Sequence, residues 1–255
     1  MLRSIVRALP QYDYVYLGDT ARTPYGDRTQ ETIYEFTQQA VVFLFKHDCS
    51  LVILACNTAS SEALRRIQHE YMPKHHPDKK VLGVLIPAAE EAVQKTRNKK
   101  VGVIATSGTV ASKKFERELK KLDPSVHVFQ KACPLLVPLV ESGEHNTREA
   151  EAILARYLHP LLKKKIDTLI LGCTHYGILE KMIRKIVGPH IHIVSEARVV
   201  PKKLKLYLKM HAEIEKKLAR HASARFFSTD RTDNFRLLGS KFFGRPIQVE
   251  KAVLE

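Results

Sequence analysis

The chain has 255 residues, 44% of them hydrophobic, enough for one large core or two smaller ones. No run approaches the roughly 18–20 apolar residues that cross a bilayer, and the apolar part of the opening M-L-R-S-I-V-R-A-L-P is too short for an export signal, so a soluble cytoplasmic protein without a membrane partner is expected. Net charge is +15. The lysines nevertheless fall in scattered pairs such as Lys79-Lys80, Lys99-Lys100 and Lys120-Lys121, which reads as a solvated, anion-attracting surface rather than a nucleic-acid site.

In chain order, Leu2, Ile5, Val6 and Leu9 lie at helical spacing and Pro10 ends the pattern, so the sequence opens inside a helix. A short strand is expected over 14–17, then a turn-rich loop, G-D-T-A-R-T-P-Y-G, over 18–26, and an amphipathic helix over 32–46. Residues 51–60 read L-V-I-L-A-C-N-T-A-S, a buried strand running into a cysteine and a polar loop. A helix capped by Ser60 or Ser61 should reach about residue 71, with a polar connection over 72–80, a strand over 81–86 and a helix from Pro87 to about residue 96. The charged stretch 97–100 is the best boundary between two similar units.

The second unit should begin with a strand over 101–105. Thr106-Ser-Gly-Thr109 then enters a helix over 110–122, and its hydroxyls and backbone N–H groups suit an anion such as a carboxylate, or equally plain helix capping. A strand over 126–130, a break at Cys133-Pro134, the edge of a loop over 137–141 and a helix over 149–164 follow. Residues 168–176, T-L-I-L-G-C-T-H-Y, repeat the grammar of the first cysteine strand. A helix over 178–187, a strand over 190–194, a lysine-rich helix to about 219, strands near 226–227 and 247–249 and a helix around 235–238 complete a tail that should return to the first unit. The fold class is α/β, with two doubly wound units of parallel strands: residues 1–97 with 196–255, and residues 98–195.

Cysteines stand at 49, 56, 133 and 173 with no C-x-x-C pair, so neither disulfides nor a metal site are expected. Cys56 and Cys173 occupy equivalent places after two related strands. In open α/β sheets ligands bind beyond the carboxyl ends of the strands, so two such units facing each other would set one thiol on each side of a shared cleft. That suits removal of a proton α to a carboxylate on one face of a carbon and its return on the other. Asn57, Thr58 and Thr174 offer donors for carboxylate and ammonium groups. His175 is placed to tune Cys173, with Glu141 as its partner, whereas Cys49 and Cys133 read as core.

The words G-D-T-A-R-T-P-Y-G, A-C-N-T-A-S, I-P-A-A, A-C-P-L-L-V-P-L-V-E-S-G and T-L-I-L-G-C-T-H-Y resemble those of glutamate racemases in the aspartate/glutamate racemase superfamily, over essentially the whole chain. The resemblance implies cofactor-independent interconversion of L- and D-glutamate for peptidoglycan. Cys173 would take the α-proton of the L enantiomer and Cys56 that of the D enantiomer. Tyr25, Gly26, Asn57, Thr58, Thr174 and His175 match substrate-binding positions, and Glu141 an acid that works with the histidine. Such enzymes often pair as homodimers. Two departures stand out. Relatives open with a strand ending in Asp-Ser-Gly-x-Gly-Gly, which is absent here and would leave Cys56 with fewer helpers than Cys173. Relatives also carry Asp-Ser where this chain has Val194-Ser-Glu-Ala197. The first departure leaves two explanations, a start upstream of Met1 or a decayed or repurposed gene; beside glutamate racemisation stand a racemase for another acidic amino acid such as aspartate and a catalytically impaired racemase-fold binding protein.

Overall fold

The computed structural model describes residues 1–230 and 233–255, the side chains of residues 27 and 234 excepted. It holds nine strands, all paired in parallel where they pair: β1 Tyr14–Gly18, β2 Leu51–Leu54, β3 Lys80–Gly83, β4 Lys100–Ala105, β5 His127–Ala132, β6 Thr168–Gly172, β7 His192–Ser195, β8 Ala224–Ser228 and β9 Val249–Lys251. Packing divides the chain into two compact units. The first comprises Met1–Leu54, Glu62–Gly83 and Pro201–Glu255, the second Ala55–Ser61 and Val84–Val200.

These borders differ from those read in the sequence, for a physical reason. The helix Leu85–Lys95 carries Leu85, Ala88, Ala89 and Ala92 as one fully buried stripe, at the spacing of a single helix face. That stripe belongs to the core of the second unit, with Val101, Val103, Phe115, Ile170 and Val194. The turn after β2, with Cys56 on it, also belongs to the second unit.

In the first unit β1, β8 and β9 form one sheet in that order, and β2 pairs with β3 in another. The helix Gln30–Lys46 serves both. Thr29 caps it by accepting from the Thr32 N–H at 3.2 Å. Ile33, Val41 and Phe45 then pack with Val52, Leu54 and Val81, while Phe43 and His47 meet Phe227 of β8 edge-on, with ring centroids at 5.3 and 4.7 Å. The segment 72–80, expected to be a polar connection, begins as the helix Met72–His75, because buried Met72 anchors it to this core.

The second unit has one four-stranded sheet in the order β5-β4-β6-β7. β6 is buried at every residue, as a central strand covered on both faces must be. From β4 the chain runs out to β5 on one side and returns to β6 on the other. The β4–β6 junction is therefore the point where strand order reverses, and ligands of such sheets bind beyond the carboxyl ends there. Thr106 follows β4 and Cys173 follows β6.

Three local expectations are corrected. The helix expected over 110–122 is two, Ser107–Ala111 and Lys114–Leu122, broken at Lys113, whose φ of +52° is left-handed. Residues 137–141, read as a loop edge, lie in the helix Leu136–Glu141, because Leu136, Leu139 and Val140 share one buried face. The strand expected over 81–86 stops at Gly83, where the alanine-rich helix begins.

Candidate active site

The site of the second unit is built at the ends of β4, β6 and β7 and on the turn carrying Cys56. At Gly172, the last residue of β6, an added Cβ would lie 2.8 Å from Phe115 Cε2 and 3.1 Å from the Ile104 carbonyl oxygen, so the strand ends flush against its neighbours. Cys173 follows, 8% exposed, in extended conformation, and the chain then coils into the short turn Thr174–Gly177. That turn brings His175 Nδ1 to 3.7 Å from Cys173 Sγ. On the other side of the ring, His175 Nε2 lies 3.2 Å from Glu141 Oε1. Cys173, His175 and Glu141 thus form a continuous chain of thiol, imidazole and carboxylate. The His175 partner holds Glu141 below the ordinary carboxylate range, against the opposing push of burial. Tyr176, fully buried, anchors the turn from beneath by donating to the Cys133 carbonyl at 3.0 Å.

Cys56 stands at the start of the helix Asn57–Glu62, and its carbonyl accepts the Ser60 N–H at 2.9 Å. The backbone N–H groups of Thr58 and Ala59 face its sulfur and favour the thiolate, while burial pushes the thiol up and prevails. Burial also pushes Cys173 well above the usual thiol range. The backbone of His175 opposes that push, and the charge of Cys56 adds to it.

Thr58 extends the Cys56 turn into a cluster of hydroxyls. Its Oγ1 lies 3.3 Å from those of both Thr106 and Thr109, and Thr106 Oγ1 donates to Thr109 Oγ1 at 3.0 Å. Thr106 also caps the helix Ser107–Ala111 by accepting the Thr109 N–H at 3.3 Å. From the β6 side, Thr174 Oγ1 donates to the Ala55 carbonyl at 3.2 Å and ties the two cysteine turns together.

One residue that sequence reasoning left without a role belongs here. Glu196 opens the helix following β7, is 2% exposed, and interacts electrostatically with both Cys56 and Cys173. Burial pushes its carboxyl up to about 8, with Asn57 beside it drawing it partly back. No hydrogen bond of ordinary geometry joins the two side chains. Its signal was the position itself, an acid directly after the strand word H-I-V-S, just where the other two strand words carry Cys56 and Cys173.

The structure thus brings together Cys56, Asn57, Thr58, Thr106, Thr109, Glu141, Cys173, Thr174 and His175. Tyr25 and Gly26 belong to the first unit, in the turn Tyr25–Asp27, where the Tyr25 hydroxyl donates to Asp19. Cys133 is buried, and burial pushes it up to about 12. Cys49 is only partly buried. Among the described residues no cluster of three or more His, Cys, Asp or Glu side chains is arranged to hold a metal, and no helix is long and apolar enough to cross a membrane.

Comparison with known proteins gives concordant results. A sequence profile of the Asp/Glu/Hydantoin racemase family matches residues 1–199. The chain is similar to a glutamate racemase of Sulfurihydrogenibium, 38% identical over all of this chain and 92% of the relative. The structure resembles that of glutamate racemase isoform RacE1 from Bacillus anthracis, with a TM-score of 0.90 at 34% identity over 99% of this chain and 92% of the other. It also resembles a Francisella tularensis glutamate racemase solved in complex with D-glutamate, with a TM-score of 0.87 at 29% identity over all of this chain and 92% of the other.

Proposed function

The chain belongs to the Asp/Glu/Hydantoin racemase family, and from that premise we propose that it interconverts L- and D-glutamate by proton transfer between two thiols, without a cofactor. The observation that carries this reading is Cys173 backed by His175 and Glu141, with the turn that carries Cys56 tied to the Cys173 turn by the Thr174–Ala55 hydrogen bond.

Burial keeps both groups as thiols at neutral pH, so the reaction needs a means of making one of them a thiolate. On the β6 side the proton of Cys173 passes to His175, and the imidazolium so formed rests against the Glu141 carboxylate. The Cys173 thiolate then takes the α-proton of L-glutamate. The C–H bond breaks, an S–H bond forms, and the carbanion is reprotonated from the opposite face by the Cys56 thiol. In reverse, the Cys56 thiolate, favoured by the Thr58 and Ala59 N–H groups, takes the proton of D-glutamate, and no net proton is consumed. The hydroxyls of Thr58, Thr106, Thr109 and Thr174 and the amide of Asn57 would receive substrate carboxylate, and the family resemblance adds Tyr25 and Gly26 to the proposed substrate-binding residues. D-glutamate so made supplies peptidoglycan synthesis in the cytoplasm, and the resemblance to the family extends the proposal to a homodimer, which light scattering would test.

The test is isotopic. In deuterated water wild type should exchange the α-hydrogen of both enantiomers. Cys173→Ala should abolish exchange from L-glutamate, and Cys56→Ala exchange from D-glutamate. Exchange from both enantiomers in either variant would contradict the assignment of one thiol to each face.

A further inference from the structure

Three buried polar side chains around the thiols have no hydrogen-bond partner. They are Asn57 at both amide atoms, Ser195 at its hydroxyl and Glu196 at both carboxyl oxygens. All are 3% exposed or less. Buried polar groups in folded proteins are nearly always hydrogen-bonded, and a buried carboxyl is among the costliest to leave alone. Three such groups gathered at strand ends, beside two reactive sulfurs, make a site built for a polar ligand.

Their chemistry states what kind. The threonine hydroxyls and the backbone N–H groups around them are donors suited to a carboxylate. Glu196 is the opposite. It offers two acceptor oxygens and, when ionised, a negative charge in a place where burial disfavours charge unless a cation comes to meet it. An α-amino acid carries both complements on adjacent atoms, a carboxylate and an ammonium group with three donors.

We propose that Glu196 is the seat of the substrate's α-ammonium group, with the Asn57 carbonyl oxygen as a second acceptor beside it. The inference rests on the racemase reading and adds to it a binding residue where this chain departs from its relatives. Burial disfavours the ionised form of Glu196 in the empty site, and an arriving ammonium group would favour it, so carboxylate and ammonium become a charge pair only when substrate binds. Holding the amine protonated also withdraws electron density from the α-carbon and makes its proton easier to remove.

Calorimetric titration of the full chain with L-glutamate and with glutarate tests this, because glutarate keeps both carboxylates and lacks only the amine. Wild type should bind glutamate roughly tenfold or more tighter than glutarate. Glu196→Gln should lose most of that preference, weakening glutamate roughly tenfold or more while leaving glutarate unchanged or tighter. Glu196→Asp should retain part of it. Equal weakening of both ligands would mean a structural role and overturn the proposal, as would an unchanged preference. Should the glutamine variant fail to fold, wild type and Glu196→Asp decide: the proposal stands on a wild-type preference that the aspartate reduces, and falls if there is no preference or no reduction. Exchange of the α-hydrogen in wild type is measured alongside. A Glu196-dependent preference without exchange sinks the racemase reading and leaves the ammonium seat. Exchange with an unaltered preference in Glu196→Gln does the reverse. Failure of wild type to bind either ligand overturns both.

Discussion

At the scale of single residues, the two thiols are served unequally. Cys56 has the Ala59 and Thr58 N–H groups and the Thr58 hydroxyl to favour its thiolate, whereas Cys173 has an imidazole at 3.7 Å and a carboxylate beyond it. In the proposed mechanism Glu141 acts through His175, 3.2 Å away, as a positioning residue. Glu141→Gln keeps the shape and removes the charge that stabilises an imidazolium. Turnover of L-glutamate should fall about 10- to 100-fold, in line with lost general-base assistance. D-glutamate turnover should fall less, and KM should change little for either. Equal losses for both enantiomers would show that the pair serves the fold instead. Gly172 makes a separate prediction. Its missing Cβ leaves room for Phe115 and for the Ile104 carbonyl, and the latter is backbone that cannot swing aside. Gly172→Ala should cost about 1–3 kcal/mol by overpacking, visible in thermal unfolding, and should lower turnover of both enantiomers by displacing Cys173.

At the scale of elements, the placement of β6 depends on one carboxylate before it. Asp167 accepts from Thr96 Oγ1, the Arg97 N–H and the Asn98 N–H, each at 2.7 Å, and from Thr168 Oγ1 at 3.0 Å. It thereby ties the end of the helix Leu85–Lys95 to the start of the strand that carries Cys173. Burial pushes this carboxyl up, but the four donors outweigh it and the pKa lies below the ordinary value. A depressed pKa means stability that is complete above roughly pH 4, the unfolded value, and is lost as pH falls through the folded one. Asp167→Ala should therefore destabilise by about 1.5–3 kcal/mol near neutrality, and should flatten the acid side of the stability–pH curve. An unchanged acid limb in urea titrations from pH 7 to 3 would refute this.

At the scale of the whole molecule, the charge has two sides. Many lysines are individually paired, as in Lys99–Asp123, Lys114–Glu118, Lys120–Glu116, Lys185–Glu151 and Lys217–Asp78. Dispersed pairing of this kind describes a solvated surface. The net +15 remains, and it favours approach of an anionic amino acid. Raising ionic strength from roughly 20 to 500 mM, which shortens screening from about 20 to 4 Å, should lower kcat/KM about two- to tenfold and kcat much less. A salt-independent kcat/KM would show that the field contributes nothing to substrate capture.

The cysteine words, the alternation of strands and helices, and the nearness of His175 to Cys173 were all legible from residue order. Each depends on contacts within a few neighbours or on a repeated local pattern, such as the apolar run and small residue before Cys56 and Cys173. The helix over Leu136–Glu141 was missed for the same local reason: proline and a following glycine outweighed its buried stripe. Three things were beyond the reach of residue order. The border at Gly83 depends on which core receives the alanine face of a helix. The hydroxyl cluster joins Thr58 to Thr106 and Thr109 across nearly fifty residues. Glu196 stood out in residue order only within a departure from the family words, and its burial beside Asn57 is what folding adds. Desolvation and long-range hydrogen bonding are properties of the packed chain, so only the tertiary structure decides them.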